Sequence, residues 1–233
     1  MVESKELELD LAPEYYRPFL KIARSVFDDT VYDVVCSALC VAVDQLKGMT
    51  RHDGTPFVTH AINTAIIVIQ EVGLGRNSTV STLLHDVVRL GLMDAEQIGD
   101  RFGKQCVGIL QGLCNISEVD PKVATDQADN FRELIVSYST DPRVILIKLA
   151  DRLEVMRKLD IFPQEKRIKK SWESLNLYAQ IAHKLGLYNI KSELEDIALK
   201  YLEPKDYEYI SRRLTETAAE REEFIRAFVK PIE

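Results

Sequence analysis

Asp141-Pro-Arg-Val-Ile-Leu-Ile-Lys-Leu-Ala-Asp-Arg-Leu-Glu-Val-Met156 is the stretch that decides the fold class. Its middle, Val144 to Leu149, is the only run in the chain that reads as a buried strand, being short and apolar. The apolar pattern continues without a break through Met156, and that continuity favours a buried helix. With this run helical, no other segment carries a strand signal, and the chain is expected to be all-α.

Outward from that helix the periodicity is helical almost everywhere. On the N-terminal side, apolar residues recur at three- and four-residue steps from Ala12 to Gln45 (Phe19, Ile22, Val26, Val34, Val35, Leu39, Val43), and Gly48 ends the stretch. Arg51-His-Asp-Gly-Thr-Pro-Phe-Val-Thr-His60 is a loop, because Asp53-Gly54 and Pro56 are turn residues. A helix is expected over 58–72, stopped by Gly73, and another over 79–90, capped by Ser78 and closed by Gly91. Asp94 and Gln97 form a capping-box pattern for a short helix that Gly103 interrupts before the apolar stretch 107–113. The polar segment from Asn115 to Asp126 reads as a mobile loop. Helices resume over 127–139, 142–160, 165–185, 190–202 and 205–228. There is no internal repeat, low-complexity tract or obvious linker. One helical domain over 1–200 is expected, with 201–233 a charged helical connection that ends abruptly at Pro231-Ile-Glu233.

Composition narrows the class of function. Of 233 residues 46% are hydrophobic and 29% charged, ordinary for a globular protein with a sizeable core. No apolar run approaches the roughly 18 residues that span a bilayer, and the charged N-terminus lacks the apolar stretch of a signal peptide. Both point to the cytoplasm. Cys36, Cys40, Cys106 and Cys114 form no Cys-x-x-Cys pair and read as buried free thiols. A net charge of −7 argues against broad nucleic-acid binding but leaves room for a small phosphorylated ligand, which needs only a local cluster of cations. The dense basic run Lys166-Arg-Ile-Lys-Lys170 reads as a solvated helix face.

Three separate fragments hold ligand-type residues: His60 at a helix start, His85-Asp86 within a helix, and Asp151 within another. Two imidazoles and two carboxylates form a mixed N/O set suited to a divalent ion such as Mn²⁺. Asp86 and Asp151 each lie in an otherwise apolar stretch, and a buried carboxylate requires a cation. That cation is either a metal or, for Asp151, Lys148 or Arg152, in which case no metal is needed.

The motifs, taken together, resemble the hydrolase region of long RelA/SpoT enzymes, which make and degrade the alarmone (p)ppGpp. The resemblance runs from about Leu39 almost to the end. It rests on Arg51-x-x-Gly-x-Pro-Phe-x-x-His60, Leu83-Leu-His-Asp-Val-Val88, Phe102-Gly103, Asn130-Phe-Arg132, 141–153, Ile181-Ala-His-Lys-Leu-Gly-Leu-Tyr-Asn-Ile-Lys-Ser-Glu-Leu-Glu-Asp196 and Tyr201-Leu-Glu-Pro204. It implies an HD-superfamily helical bundle with His60, His85, Asp86 and Asp151 as Mn²⁺ ligands, and Arg51 packed against the guanine base. The implied chemistry is attack of an ion-activated water on the 3′-diphosphate. A pocket for so charged an anion is expected to gather Arg51, Arg89, Lys148, Arg152 and Arg157.

Departures from the family pattern matter as much. Where the family carries Val-Val-Glu-Asp-Thr, this chain has Val87-Val-Arg89-Leu90-Gly91; where the family carries Asp-Arg-Leu-His-Asn, it has Asp151-Arg-Leu-Glu154-Val155. A carboxylate near the nucleophile has become a cation, its neighbour an aliphatic, and an amide near the nucleotide is gone. Arg89 either contacts phosphate or simply meets solvent at its helix end, where cations are favourable. The synthetase half of such enzymes has no counterpart in the sequence. Three functions follow: a regulatory HD module that binds guanosine tetra- or pentaphosphate but hydrolyses it weakly, an active Mn²⁺-dependent 3′-pyrophosphohydrolase in which Glu154 or Asp94 supplies the acid, or a metal-free scaffold for a synthetase domain of a longer chain.

Overall fold

One helix has no solvent face. Over Arg76–Arg89, every residue from Ser78 to Val87 is buried. A helix enclosed all round needs either uniform apolarity or small polar groups that satisfy themselves. This one uses both: the Thr79 and Thr82 hydroxyls donate to the carbonyls of Gly75 and Ser78, one turn back. Neighbouring helices then close on it from several sides. The computed structural model describes residues 9–117 and 141–230.

Residues 1–162 and 163–233 form two compact units. In the first, the helices are α1 (Pro13–Val26), α2 (Asp29–Gln45), α3 (Val58–Gln70), α4 (Arg76–Arg89), α5 (Ala95–Phe102), α6 (Gln105–Ser117) and α7 (Pro142–Arg157), followed by a 3₁₀ turn at Leu159–Ile161. α4 is the hub, packed against α2, α3 and α6 and touching α5 and α7. Phe19, Leu39, Ile62, Leu83, Leu84, Ile98 and Leu110 form the centre of its core. α7 lies along α3, with Val144, Ile145, Ile147, Leu149, Ala150 and Leu153 inward, so the strand-like run is a buried helix as expected. The second unit holds α8 (Gln164–Glu173), which runs through a π-helical turn at Ser174–Tyr178 into α9 (Ala179–Lys184), then α10 (Tyr188–Leu202), α11 (Pro204–Glu216) and α12 (Ala218–Val229). α8, α9 and the π turn all pack on α10, whereas α11 buries no residue. No strand occurs among the described residues, and no helix there is long and apolar enough to cross a membrane.

Several boundaries differ from the sequence expectation for identifiable reasons. The run from Ala12 to Gln45 is two helices, because the Asp28 carboxylate accepts from Val31 N and starts a second one. Ser78 does not cap α4; Gly75 holds that position and Ser78 is enclosed within the helix. Gly73 and Gly91 do stop their segments, with φ of +77° and +68° that side chains disfavour. The Asp94–Gln97 capping box forms as read. α6 continues through Ser117, so residues 115–117 of the expected loop belong to a helix; its remainder, the 127–139 helix and the Asn130-Phe-Arg132 motif lie outside the described residues. All four cysteines are free thiols, Cys36 and Cys106 buried and the other two half-buried. Most of the basic run in α8 is exposed.

α6 meets α7 at Gly112, where an added Cβ would stand 2.7 Å from Val144 Cγ2 and 3.2 Å from Cγ1. Ala is the better helix former by about 1 kcal/mol, but overpacking a rigid β-branched neighbour costs about 1–3 kcal/mol. Gly112→Ala is therefore expected to lower stability in urea unfolding, and Val144→Ala in the same chain to recover part of the loss. A Gly112→Ala protein more stable than wild type would show that the contact is loose.

Candidate metal centre

Four elements bring the ligand-type residues together. The loop hydrogen bonds Arg51 N to Thr55 O and Phe57 N to Met49 O fold residues 49–57 back and start α3, so His60 sits in its first turn. His85 and Asp86 lie near the end of enclosed α4, and Asp151 and Glu154 lie one turn apart on α7. One ligand atom each from His60, His85 and Asp86 lies within 4.8 Å of the others, and all three residues are buried. Asp151 joins them through its Oδ1, 2.9 Å from His60 Nε2. Three of the four residues picked out in the sequence thus cluster, and Asp151 meets the group through His60.

Both imidazoles are held from behind. His85 Nδ1 stands 2.6 Å from the Thr82 carbonyl, which only accepts, so Nδ1 carries the proton. His60 Nδ1 lies 2.6 Å from Glu154 Oε2. In each ring the outer nitrogen is engaged with an acceptor and Nε2 faces inward, the arrangement typical of metal-binding histidines. Burial opposes charge on His60, but the hydrogen bonds it donates to Asp151 and Glu154 outweigh it and raise its pKa to about 10. Burial likewise works against ionised Asp151, yet the Lys148 ammonium, 2.6 Å from Oδ2, together with His60 holds its carboxyl well below the usual range. Asp86 and Glu154 are also lowered against burial, Asp86 by the two imidazoles and Arg89, Glu154 by His60 and Arg51.

Four of the five cations expected to line a nucleotide pocket are paired with carboxylates. Arg51 makes a two-pronged bond to Glu154, at 2.6 and 3.2 Å. Arg89 folds back one turn and puts Nε and Nη2 on Asp86 Oδ1, at 2.8 and 2.5 Å. Lys148 pairs with Asp151, and Arg157 grips Glu71 with two bonds. Arg152, half-buried on α7, also has an interaction partner. Leu90 is 41% exposed at the end of α4 and Val155 is half-buried. Glu154 is the functional residue whose place was hardest to foresee: one acidic side chain in an apolar helix gives no hint that it faces a histidine and an arginine far away in sequence.

A single atom speaks for an ion. Asp86 Oδ2 is buried and has no hydrogen-bond partner, because Arg89 occupies only Oδ1. An unsatisfied buried carboxylate oxygen is costly. His85 Nε2 lies 3.5 Å from the other oxygen, Oδ1, and one ligand atom each from His60, His85 and Asp86 makes a mixed N/O set that fits a divalent cation.

The fold and this cluster define an HD domain. A family described as "HD domain" matches residues 38–188, and the chain belongs to that family. Within it, the chain is 38% identical over 181 residues to the guanosine-3′,5′-bis(diphosphate) 3′-pyrophosphohydrolase of Aquifex aeolicus, covering 78% of this chain and 26% of that protein. It is 35% identical over 199 residues to the bifunctional (p)ppGpp synthase/hydrolase SpoT of Escherichia coli, covering 84% and 28%. Its homologues are RelA/SpoT proteins, of whose length it spans about a quarter. A solved structure described as a metazoan ortholog of SpoT that hydrolyses ppGpp shares the fold, with a TM-score of 0.54 and 23% identity over 70% of this chain and 93% of that one.

Arg89 and the two imidazoles hold Asp86 ionised in the metal-free fold, so removing its charge is expected to cost stability. Asp86→Asn in EDTA should lose about 1–3 kcal/mol in denaturant unfolding. A variant as stable as wild type would show that the Asp86 charge does nothing for the metal-free fold.

Proposed function

We propose that this chain is the HD portion of a RelA/SpoT-type alarmone protein that holds a divalent ion, Mn²⁺ by its donor set, and binds (p)ppGpp while hydrolysing it weakly. His60, His85, Asp86 and Asp151 would hold the ion. When bound, it supplies Lewis-acid polarisation of the phosphoryl group and activation of water. The remaining work belongs to the chain's own residues, and there the proton-handling groups are missing.

The observation that carries this reading is where Arg89 goes. In place of an acid beside the nucleophile, it lies on Asp86 as an ion pair, with Leu90 turned outward. Neither substitute acid is free to serve. Glu154 is already bonded to His60 and Arg51, and Asp94 is spent on capping α5. Without a general acid or base, catalysis falls by about 10²–10⁴-fold. Arg89 pairs with Asp86 and Lys148 with Asp151; once an ion takes Asp86, the Arg89 guanidinium is released and suits phosphate oxygens. The same two ion pairs also favour a second reading, a metal-free scaffold, because they neutralise both aspartates without any ion. A synthetase domain in a longer parent chain is the partner this reading implies.

The expected outcome is one Mn²⁺ per chain by elemental analysis, ppGpp binding by calorimetry, and pyrophosphate release at least a hundredfold slower than that of the Aquifex hydrolase. Arg89→Glu with Leu90→Asp and Val155→Asn should raise Mn²⁺-dependent release. Brisk turnover by the unaltered chain would overturn the weak-hydrolase reading, and absence of both Mn²⁺ and ppGpp binding would leave the scaffold.

A further inference from the structure

We propose that Glu154 is a positioning residue with two holds: it fixes His60 so that Nε2 faces the metal centre, and it keeps Arg51 locked away from any bound nucleotide. This rests on the metal reading above and says how this chain's site differs from the pattern it resembles. The Glu154 side chain is 3% exposed and spends both oxygens. Oε2 accepts from His60 Nδ1 at 2.6 Å and from Arg51 Nη2 at 3.2 Å, while Oε1 accepts from Arg51 Nη1 at 2.6 Å.

Each hold follows from the chemistry of the groups. A carboxylate has only acceptors to offer, so His60 must present N–H at Nδ1 and its ring plane is set by that bond. Nε2 is thereby aimed at Asp151 and the His85–Asp86 edge, and the negative charge behind the ring raises its basicity as a ligand. For Arg51, a two-pronged bond fixes the plane of the guanidinium, and the side chain is only 7% exposed. A base stacking on that guanidinium would need an open face. The resembled pattern carries a histidine where this chain has Glu154. A neutral imidazole offers one acceptor and cannot grip a guanidinium with two. The carboxylate at 154 therefore creates the lock on Arg51, and the same atoms serve the histidine.

The test uses the whole chain, with Mn²⁺ and phenylglyoxal as probes. Free Mn²⁺ measured by EPR should give a Kd raised about 10–100-fold in Glu154→Met, and raised less in Glu154→Gln, whose amide oxygen still accepts from Nδ1. Phenylglyoxal modification of Arg51, followed by peptide mass spectrometry, should be at least tenfold slower in wild type than in either variant. Arg212, 68% exposed, is the internal reference for a reactive arginine. A Glu154→Met chain that melts cooperatively and binds Mn²⁺ within twofold of wild type overturns the hold on His60. Wild-type Arg51 reacting as fast as Arg212 overturns the lock on Arg51. Should Glu154→Met fail to fold, the long-range ¹H–¹⁵N imidazole spectrum of the wild-type chain loaded with diamagnetic Zn²⁺ decides the first hold. A proton on His60 Nδ1 supports it and a bare Nδ1 overturns it. A wild-type chain that takes up no divalent ion overturns the proposed function and the hold on His60 with it, whereas the phenylglyoxal result stands without metal.

Discussion

Asp86 is a carboxylate placed where none belongs without a cation, at the end of a helix enclosed on every side. Its burial is the constraint from which the rest of the site follows. α4 must be wholly buried for α2, α3 and α6 to close around it, and that burial carries His85 and Asp86 out of water with the helix. The charge then has to be met locally. One oxygen is met by Arg89, and the other is buried with nothing bonded to it. Of the unpartnered buried oxygens among the described residues, it is the one on a carboxylate, and on the proposed reading it is kept for a ligand.

Around that oxygen the chain has built a closed set of charges. Asp86 with Arg89, Asp151 with Lys148, and Glu154 with Arg51 make three carboxylate–cation pairs, and His60 bridges the second and third. Such pairing lets the protein fold before any ion arrives, since an uncompensated buried charge costs about 3–5 kcal/mol. It also sets the terms on which an ion or a phosphate enters. Either must compete with a partner already in place, so on the proposed reading metal and anion support one another: an ion that takes Asp86 releases Arg89 toward phosphate.

Much of this was legible in the sequence, for physical reasons that differ by element. The helices were readable because their apolar spacing is strong, and the α7 run that imitates a strand gave itself away by its length. The break at Asp28 was hidden by apolar residues that keep the same spacing on both sides of it. Ser78 misled because a cap and a small buried hydroxyl look alike without the packing. At the site, Arg51, His60, His85, Asp86 and Asp151 stood out by residue type within long motifs. The pairings did not. Whether Arg89 reaches solvent, phosphate or Asp86 depends on a rotamer at a helix end, and Glu154 acquires its role from two residues about a hundred positions away. Local patterns carry no information about such contacts.

The departures at 89, 90, 154 and 155 change what surrounds the cluster: Arg89 pairs with Asp86, and Glu154 holds His60 and Arg51. On the proposed reading they weaken hydrolysis while the ion's ligands stay. The most direct test of this account is electron spin-echo spectroscopy of the chain loaded with one equivalent of Mn²⁺. The account predicts one bound ion with two imidazole nitrogens coupled to it, one of them lost in His60→Ala and the other in His85→Ala. An ion with no coupled nitrogen, or one whose spectrum is unchanged by either substitution, would contradict it.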